Sequence, residues 1–385
     1  MPFPLIFLAH VAIVLIAISA LAASVTAQAQ GVRPEVVASG LQHPWAVAFL
    51  PQGRFLVTER TGRMRVVEPD GRLGAPLAGL PAIDVGGQGG LLDLVLDADF
   101  AKNRSLYFCF SQAGQAGSGN STALARATLA PDNSRLTDLQ IIFSQQPKVS
   151  SSAHFGCRIV EAQKNGQSDG SLFLTLGDRY SRMQDAQKLD NHLGKIVRIN
   201  KDGSIPKDNP FVGRAGALPE IWSYGHRNLQ GAALAPDGTF WTHEHGPQGG
   251  DEINLPQPGR NYGWPVITFG ENYGGGKVGE GLSAKPGMEQ PLHYWLPSIA
   301  PSGMAFLSSD KYGKAWQGNL FVGSLKFAYL NRIELSQPFK GKVLREHKLL
   351  ESGERIRDVR QGPDGLLYVL TDSANGRLLR LLPQP

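Results

Sequence analysis

The chain has 385 residues, with 46 Gly, 26 Pro, 18% charged residues and a formal net charge of +5. That length allows one large domain or two ordinary ones, and the glycines and prolines predict frequent turns between short strands. Hydrophobic residues make up 42% of the chain, which excludes disorder, and the dispersed Lys and Arg residues form no basic run interleaved with aromatics, which argues against a nucleic-acid partner.

Residues 1–29 carry no Lys, Arg, Asp or Glu, and Leu5 to Leu21 is almost wholly apolar. Ala27-Gln28-Ala29 then offers a small-x-small cleavage site before Gln30. The segment reads as a secretory signal peptide, so residues 30–385 are expected to form a single periplasmic or secreted domain with no membrane span. An uncleaved anchor is the alternative, since the apolar run is nearly long enough to span. Two cysteines, Cys109 and Cys157, lie in strand-like runs. An oxidising compartment permits a disulfide between them, and two buried thiols are equally compatible with the sequence.

A weak repeat organises the rest. His43 to Glu59, Leu229 to Thr242 and Ile356 to Thr371 share one rhythm: apolar strand, Pro-x-Gly turn, apolar strand. Looser copies occupy Leu91 to Leu129, Phe155 to Asn200 and Gly303 to Leu335. Such turns suit tight reversals between antiparallel strands. Six units at this spacing predict an all-β, six-bladed β-propeller of four-stranded antiparallel blades. Ligands then belong at one end of the central channel, on loops next to the innermost strands.

Candidate residues follow from that placement. The cluster Gly86-Gly87-Gln88-Gly89-Gly90 allows a backbone to approach a ligand closely. His154, among small residues at the start of a predicted strand, has the chemistry of a general base, and Asp178, after the next strand, that of its orienting carboxylate. No Gly-x-Ser-x-Gly elbow suggests serine hydrolysis. Arg227 in His226-Arg227-Asn228 is suited to a negative oxygen. In His245-Gly246-Pro247, followed by Asp251-Glu252, the turn can aim carbonyls into one space, and hard cations take carbonyl and carboxylate oxygens. His243-x-His245, with no clear third ligand, reads as structural. Lys326 sits at a strand end, and Arg355 and Arg357, two apart, share one face. Each feature taken singly is also compatible with blade packing or a solvated surface.

Taken in order, these stretches resemble the soluble glucose/sorbosone dehydrogenase family, which uses pyrroloquinoline quinone (PQQ), and within it the compact periplasmic aldose sugar dehydrogenases. The resemblance runs from His43 to Leu381. Its most specific parts are His226-Arg227-Asn228, the run from His245 to Asn254 with Asn261-Tyr262-Gly263-Trp264-Pro265, and Arg355 to Val359 before Gly362-Pro363-Asp364-Gly365. The resemblance implies that His154 takes the proton from the sugar C1 hydroxyl while hydride passes to the quinone C5, giving the lactone, with Asp178 orienting the base. It implies Arg227 near the C5 oxygen with Asn228 beside it, and Gln88 at the edge shared by substrate and quinone. Lys326, Arg355 and Arg357 are implied as partners of the PQQ carboxylates. Gly246 and Pro247 are implied as carbonyl ligands of a calcium (Ca2+) that also binds PQQ, and Glu252 and the backbone of Tyr262 as ligands of a second, structural calcium. The expected partners are an aldose and an electron acceptor of undefined identity, and the compact length implies a monomer. Tyr294 or Trp295 is a candidate for stacking on a sugar, or for blade packing. Two other classes compete. A lactonase-type propeller would converge several carboxylates and an Asn on one exposed calcium. A non-catalytic binding propeller would have lost the His or the cation set.

Overall fold

The three Pro-x-Gly turns adopt one geometry. In each, the residue before Pro donates its N–H to the carbonyl of the residue after Gly: Leu50 to Arg54 at 2.9 Å, Ala235 to Thr239 at 2.9 Å and Gly362 to Leu366 at 2.7 Å. Gly53, Gly238 and Gly365 take φ values of 73°, 85° and 81°, a left-handed backbone that favours glycine. Asp237 and Asp364 add a side-chain bond to the N–H two residues on.

These turns open three of six four-stranded antiparallel sheets in the computed structural model, which describes residues 31–115, 117–351 and 353–384. The predicted leader lies outside the described residues. The innermost strands are Pro44–Phe49, Leu91–Leu96, Ile159–Lys164, Leu229–Leu234, Pro301–Phe306 and Ile356–Gln361, in blades one to six. Each packs against the next, and the sixth packs against the first, so the ring closes. The predicted six-bladed propeller is the fold. The only α-helix among the described residues is the single turn Phe100–Asn103, and no helix there is long and apolar enough to cross a membrane.

Closure uses an element absent from the predicted units. Strand Gly31–Leu41 pairs with Gly376–Gln384 and becomes the outer strand of blade six, so both ends of the described chain share one sheet. Ala38, Leu41, Val47, Val57, Leu370 and Leu378 bury the seam between blades six and one. A disulfide joins Cys109 in blade two to Cys157 at the entry to blade three, with Cα atoms 6.0 Å apart.

Charged side chains occupy the axis. Arg158 Nη1 lies 3.2 Å from Asp93 Oδ1 and 2.8 Å from Asp358 Oδ1. Arg360 reaches the same two carboxylates at 2.7 and 2.9 Å. Asp93 also accepts from the N–H of Ile159, Asp358 from that of Val47, and Arg158 Nε donates to Gln230 O. The cluster therefore ties blades one, two, three, four and six together at the axis. Removing one member of a buried ion cluster leaves its partners desolvated and unpaired, which costs about 3–5 kcal/mol. Arg158→Ala is expected to lose stability on that scale, read as a lowered urea midpoint, whereas the exposed-pair variant Lys102→Ala should leave the midpoint unchanged.

Candidate active site

Two cavities meet at the mouth of the channel. The inner one, of about 520 Å³, is lined by Trp45, Arg60, Gln88, Asn228, Gln230, His245, Lys326, Arg355, Arg357 and Asp372, among others. The outer one, of about 860 Å³, is lined by Asp84, Gln88, Asn120, Ser150 to His154, Tyr180 and Tyr273, among others. Gln88 belongs to both.

His154 sits at this junction. The sequence suggested that a strand begins here; the strand starts only at Ile159. The intervening loop takes a left-handed backbone at His154 (φ 53°), Gly156 (φ 64°) and Cys157 (φ 81°), which no strand accommodates. Gln88 stabilises the loop by accepting from the His154 N–H at 2.8 Å. The imidazole is buried, with Nδ1 2.7 Å from Asp178 Oδ1, and its ring meets Tyr180 edge-on. Asp178 follows strand Gln167–Thr175 and also accepts from Tyr180 N at 2.8 Å and Trp264 Nε1 at 2.7 Å. With one donor on Oδ2 and two on Oδ1, the carboxylate stays ionised. Burial pushes Asp178 up, but the His154 bond, Arg227 and the Tyr180 N–H outweigh it and hold it below the usual carboxylate value. Burial is also the largest influence on His154. It outweighs the Asp178 charge and, with Arg227 and Arg179, holds the imidazole below its ordinary value. At neutral pH the dyad is a neutral imidazole on an aspartate, with Nε2 free to accept a proton.

The inner cavity is electropositive. Arg60, Lys326, Arg355 and Arg357 face it against one carboxylate, Asp372, an excess of three positive charges among its lining residues. Lys326 is exposed and has no acidic partner within 4 Å among the described residues. Arg357 donates to Asp372 at 2.9 Å and Gln230 at 3.3 Å, while its buried Nε has no partner. Burial lowers its pKa in spite of Asp372. Asp372 lies well below the usual value; burial would raise it, and Arg357 and the His43 and Arg355 contacts prevail.

The glycine turn closes the third side. Strand Phe240–Glu244 runs two residues further than the sequence suggested and pairs with Asp251–Asn254. The acids here are not solvated: Asp251 is buried, accepting from Gly246 N, Ser298 Oγ and Ala300 N. Arg227, also buried, donates from Nη1 to His245 O at 3.0 Å and Gly246 O at 2.7 Å, lies over Trp264, and leaves Nε without a partner. Asn228 Oδ1 accepts from Gly156 N at 3.2 Å. Glu244 and Glu252 are cross-strand neighbours, and Asn254 donates to both, at 3.2 and 3.4 Å. Burial first, then the charge of Glu244, pushes Glu252 well above the usual carboxylate value. A small cavity beside it is lined by Glu244, Gly246, Glu252 and Tyr262 among others. Among the described residues no group of three or more His, Cys, Asp or Glu is poised to hold a metal. A cation here would depend on main-chain and amide oxygens as well as carboxylates.

Tyr294 and Trp295 face neither of the two cavities. Tyr294 stacks on Phe269 at 3.9 Å, and Trp295 is buried with Nε1 on Glu346. His243 is fully buried inside blade four, and His245 Nε2 lies 2.7 Å from Pro301 O. The structure adds Trp45, Arg60, Asp84, Asn120, Gln230, Glu244, Trp264, Tyr273 and Asp372 to the site. Asp372 directly follows Thr371, which ends the second strand of blade six at the position that Glu59 and Glu244 hold in blades one and four.

The fold is a six-bladed propeller that carries a buried His–Asp dyad beside a cation-rich cavity. The glucose / sorbosone dehydrogenase family model matches residues 41–380, and the chain belongs to that family. It is 46% identical over 358 residues to aldose sugar dehydrogenase YliI of Escherichia coli, covering 92% of this chain and 93% of the relative. The crystal structure of the soluble E. coli aldose sugar dehydrogenase in its apo-form superposes with a TM-score of 0.86 at 45% identity, over 92% of this chain and all of that one. The PQQ-bound aldose sugar dehydrogenase of Streptomyces coelicolor superposes with a TM-score of 0.73 at 27% identity, over 92% and 99% of the two chains.

The depressed His154 pKa has a checkable sign. The unfolded chain binds the proton first, so the site's contribution to stability is full above the ordinary value of 6.5 and is lost as pH falls through the lower folded value. In a histidine NMR titration, His154 is expected to titrate below 6.5, and lower still in Asp178→Asn, where the anion is gone. A wild-type midpoint at or above 6.5 would mean that Asp178 outweighs burial.

Proposed function

We propose that this chain is a PQQ- and calcium-dependent dehydrogenase that oxidises the C1 hydroxyl of aldose sugars to the lactone. The observation that carries the reading is the excess of three positive charges around the inner cavity, with a neutral imidazole at its junction with the outer one. PQQ is a planar tricarboxylate, and the donor set suits it. Lys326, Arg355 and Arg357 would pair with its carboxylates, and Gln88 and Asn228 would contact its edge. The unpartnered Arg227 Nε is a donor available to a quinone oxygen.

The oxygen-rich turn likewise suits calcium. Gly246 and Pro247 carbonyls would hold the ion that also touches the cofactor, and Glu252 with the Tyr262 backbone the structural one. The raised Glu252 pKa supports the second site: a half-buried carboxylate beside Glu244 is stabilised as an anion once a divalent ion lies between them.

When bound, PQQ supplies the two-electron acceptor that takes the hydride from C1, and calcium beside it polarises the quinone. The chain's own residues do the rest. Asp178 fixes His154 in the Nδ1–H tautomer, so Nε2 takes the C1 hydroxyl proton. Asp84, Asn120 and Ser151 offer polar contacts for sugar hydroxyls in the outer cavity, with Tyr180 and Tyr273 as flat faces. Arg227 places positive charge beside the oxygen where negative charge gathers.

The reading extends to location and assembly. Export through residues 1–29 to the periplasm or exterior is supported by the Cys109–Cys157 disulfide, which an oxidising compartment favours. The working unit is proposed to be a monomer.

Dye-linked sugar oxidation by purified protein should require both PQQ and calcium, and His154→Ala should lower kcat by about a hundredfold or more. No PQQ binding by absorbance titration would move the chain to a binding propeller. Calcium alone should raise the Tm of the apo-protein, by about 2.7 kcal/mol of stability at a hundred times Kd. Glu252→Gln should abolish the structural-site part of that gain, because the neutral amide removes a carboxylate ligand of the ion.

A further inference from the structure

The run Asn261 to Pro265 places beside the dyad one residue that the proposed mechanism leaves without a role. Trp264 is buried, and its main chain is fixed on two sides. Its N–H donates to Gly225 O at 2.9 Å, and its carbonyl accepts from Gln187 Nε2 at 2.7 Å. Gln187 also exchanges hydrogen bonds with Asn261 at 3.0 and 2.8 Å, which braces the loop. The one polar atom of the indole, Nε1, donates to Asp178 Oδ2 at 2.7 Å. Arg227 lies over the same ring at 5.2 Å. Trp264 thus touches both the carboxylate that orients the base and the cation that faces the quinone position.

A carboxylate held only through Oδ1 can rotate and present either oxygen to its histidine. An N–H fixed on Oδ2 removes that freedom. It also draws negative charge off the carboxylate, so the imidazole feels a weaker anion. Among the described residues no other side chain donates to Oδ2.

We propose that Trp264 is a positioning residue of the dyad: its indole N–H locks the Asp178 carboxylate in one orientation and thereby sets the tautomer and base strength of His154. The proposal rests on the reading of His154 as the base. The charged and titratable groups that face the imidazole are Asp178, Arg179, Arg227, His245 and Tyr180, with Asp84 across the outer cavity. Trp264→Phe keeps the ring under Arg227 and every one of these groups, and deletes only the donor. Asp178 then becomes the stronger anion, and the imidazolium is favoured.

The test is a histidine NMR titration of the apo-protein, wild type against Trp264→Phe, with the pH profile of kcat/KM for the PQQ-loaded enzymes alongside. The His154 midpoint is expected to rise by roughly half a pH unit or more, and the acid limb of kcat/KM to move with it. A midpoint unchanged in Trp264→Phe overturns the proposal. If the midpoint moves and the acid limb does not, the coupling stands and His154 loses the role of base instead. Should Trp264→Phe fail to fold, the wild type carries the same information. One of the 6 tryptophan indole N–H resonances should shift with the His154 midpoint, and that shift should vanish in Asp178→Asn. No indole resonance following His154 overturns the proposal equally.

Discussion

The structure depends on four charges gathered at the propeller axis, three of them buried. Arg158 and Arg360 share Asp93 and Asp358, and each carboxylate is further held by a backbone N–H from another blade. Burying an ion pair is weak evidence for stability, because desolvation offsets much of the attraction. Here the geometry supplies something that an apolar plug would not. Arg158 Nε holds Gln230 O and its Nη2 holds Arg357 O, so the cluster grips the backbone of two strands whose side chains face the inner cavity. The same Gln230 side chain then bonds Gly156 O and Arg357. The axis cluster is the floor on which the site is registered.

Above that floor the site is divided into three electrostatic regimes within one channel mouth. The dyad is dry, and burial keeps His154 neutral while donors keep Asp178 charged. The inner cavity is strongly positive. The Glu244–Glu252 pair concentrates negative charge; His226 and the Arg227 N–H meet Glu244, while burial and the Glu244 charge push Glu252 well above the usual carboxylate value. Each regime would be unfavourable in isolation. The proposed polyanion and divalent cation would answer both at once, and this is why the cation set and the acidic strand pair are better read jointly than singly.

The fold was legible in the sequence where local chemistry repeats. Pro51-Gln52-Gly53, Pro236-Asp237-Gly238 and Pro363-Asp364-Gly365 close with the same hydrogen bond because Pro presets φ and only Gly adopts the positive φ readily. His154, Asp178, Arg227 and Arg357 stand in specific motifs; the structure sets His154 on Asp178, Arg357 in the inner cavity and Arg227 beside the glycine turn. What was hidden arises from pairing between distant segments. Gly31–Leu41 has no turn of its own and becomes a strand only because Gly376–Gln384 offers an edge. Arg60 and Asp84 come from loops with no motif of their own, and the motif that holds Trp264 says nothing of its partner Asp178, 86 positions away. The predicted strand at His154 failed because a left-handed backbone was held in place by Gln88, from another blade.

Asp372 shows how the closure of the ring and the site are one problem. An aspartate in a cavity meant for anions is unfavourable for the ligand, yet it binds Arg357 at 2.9 Å, Arg355 at 3.5 Å and His43 at 2.9 Å. His43 stands at the head of blade one and Asp372 at the end of a blade-six strand, so this contact lies on the seam that the outer strand Gly31–Leu41 seals. Without an anion beneath them, Arg355 and Arg357 would repel each other and swing toward solvent. With it, their guanidinium groups are held before any ligand arrives, and less conformational entropy is lost on binding. Arg357 Nε still lacks a partner, so the anchor does not saturate the cation it holds. Asp372 therefore weakens the positive field slightly and fixes its direction, which would favour the rigid planar anion proposed for this cavity.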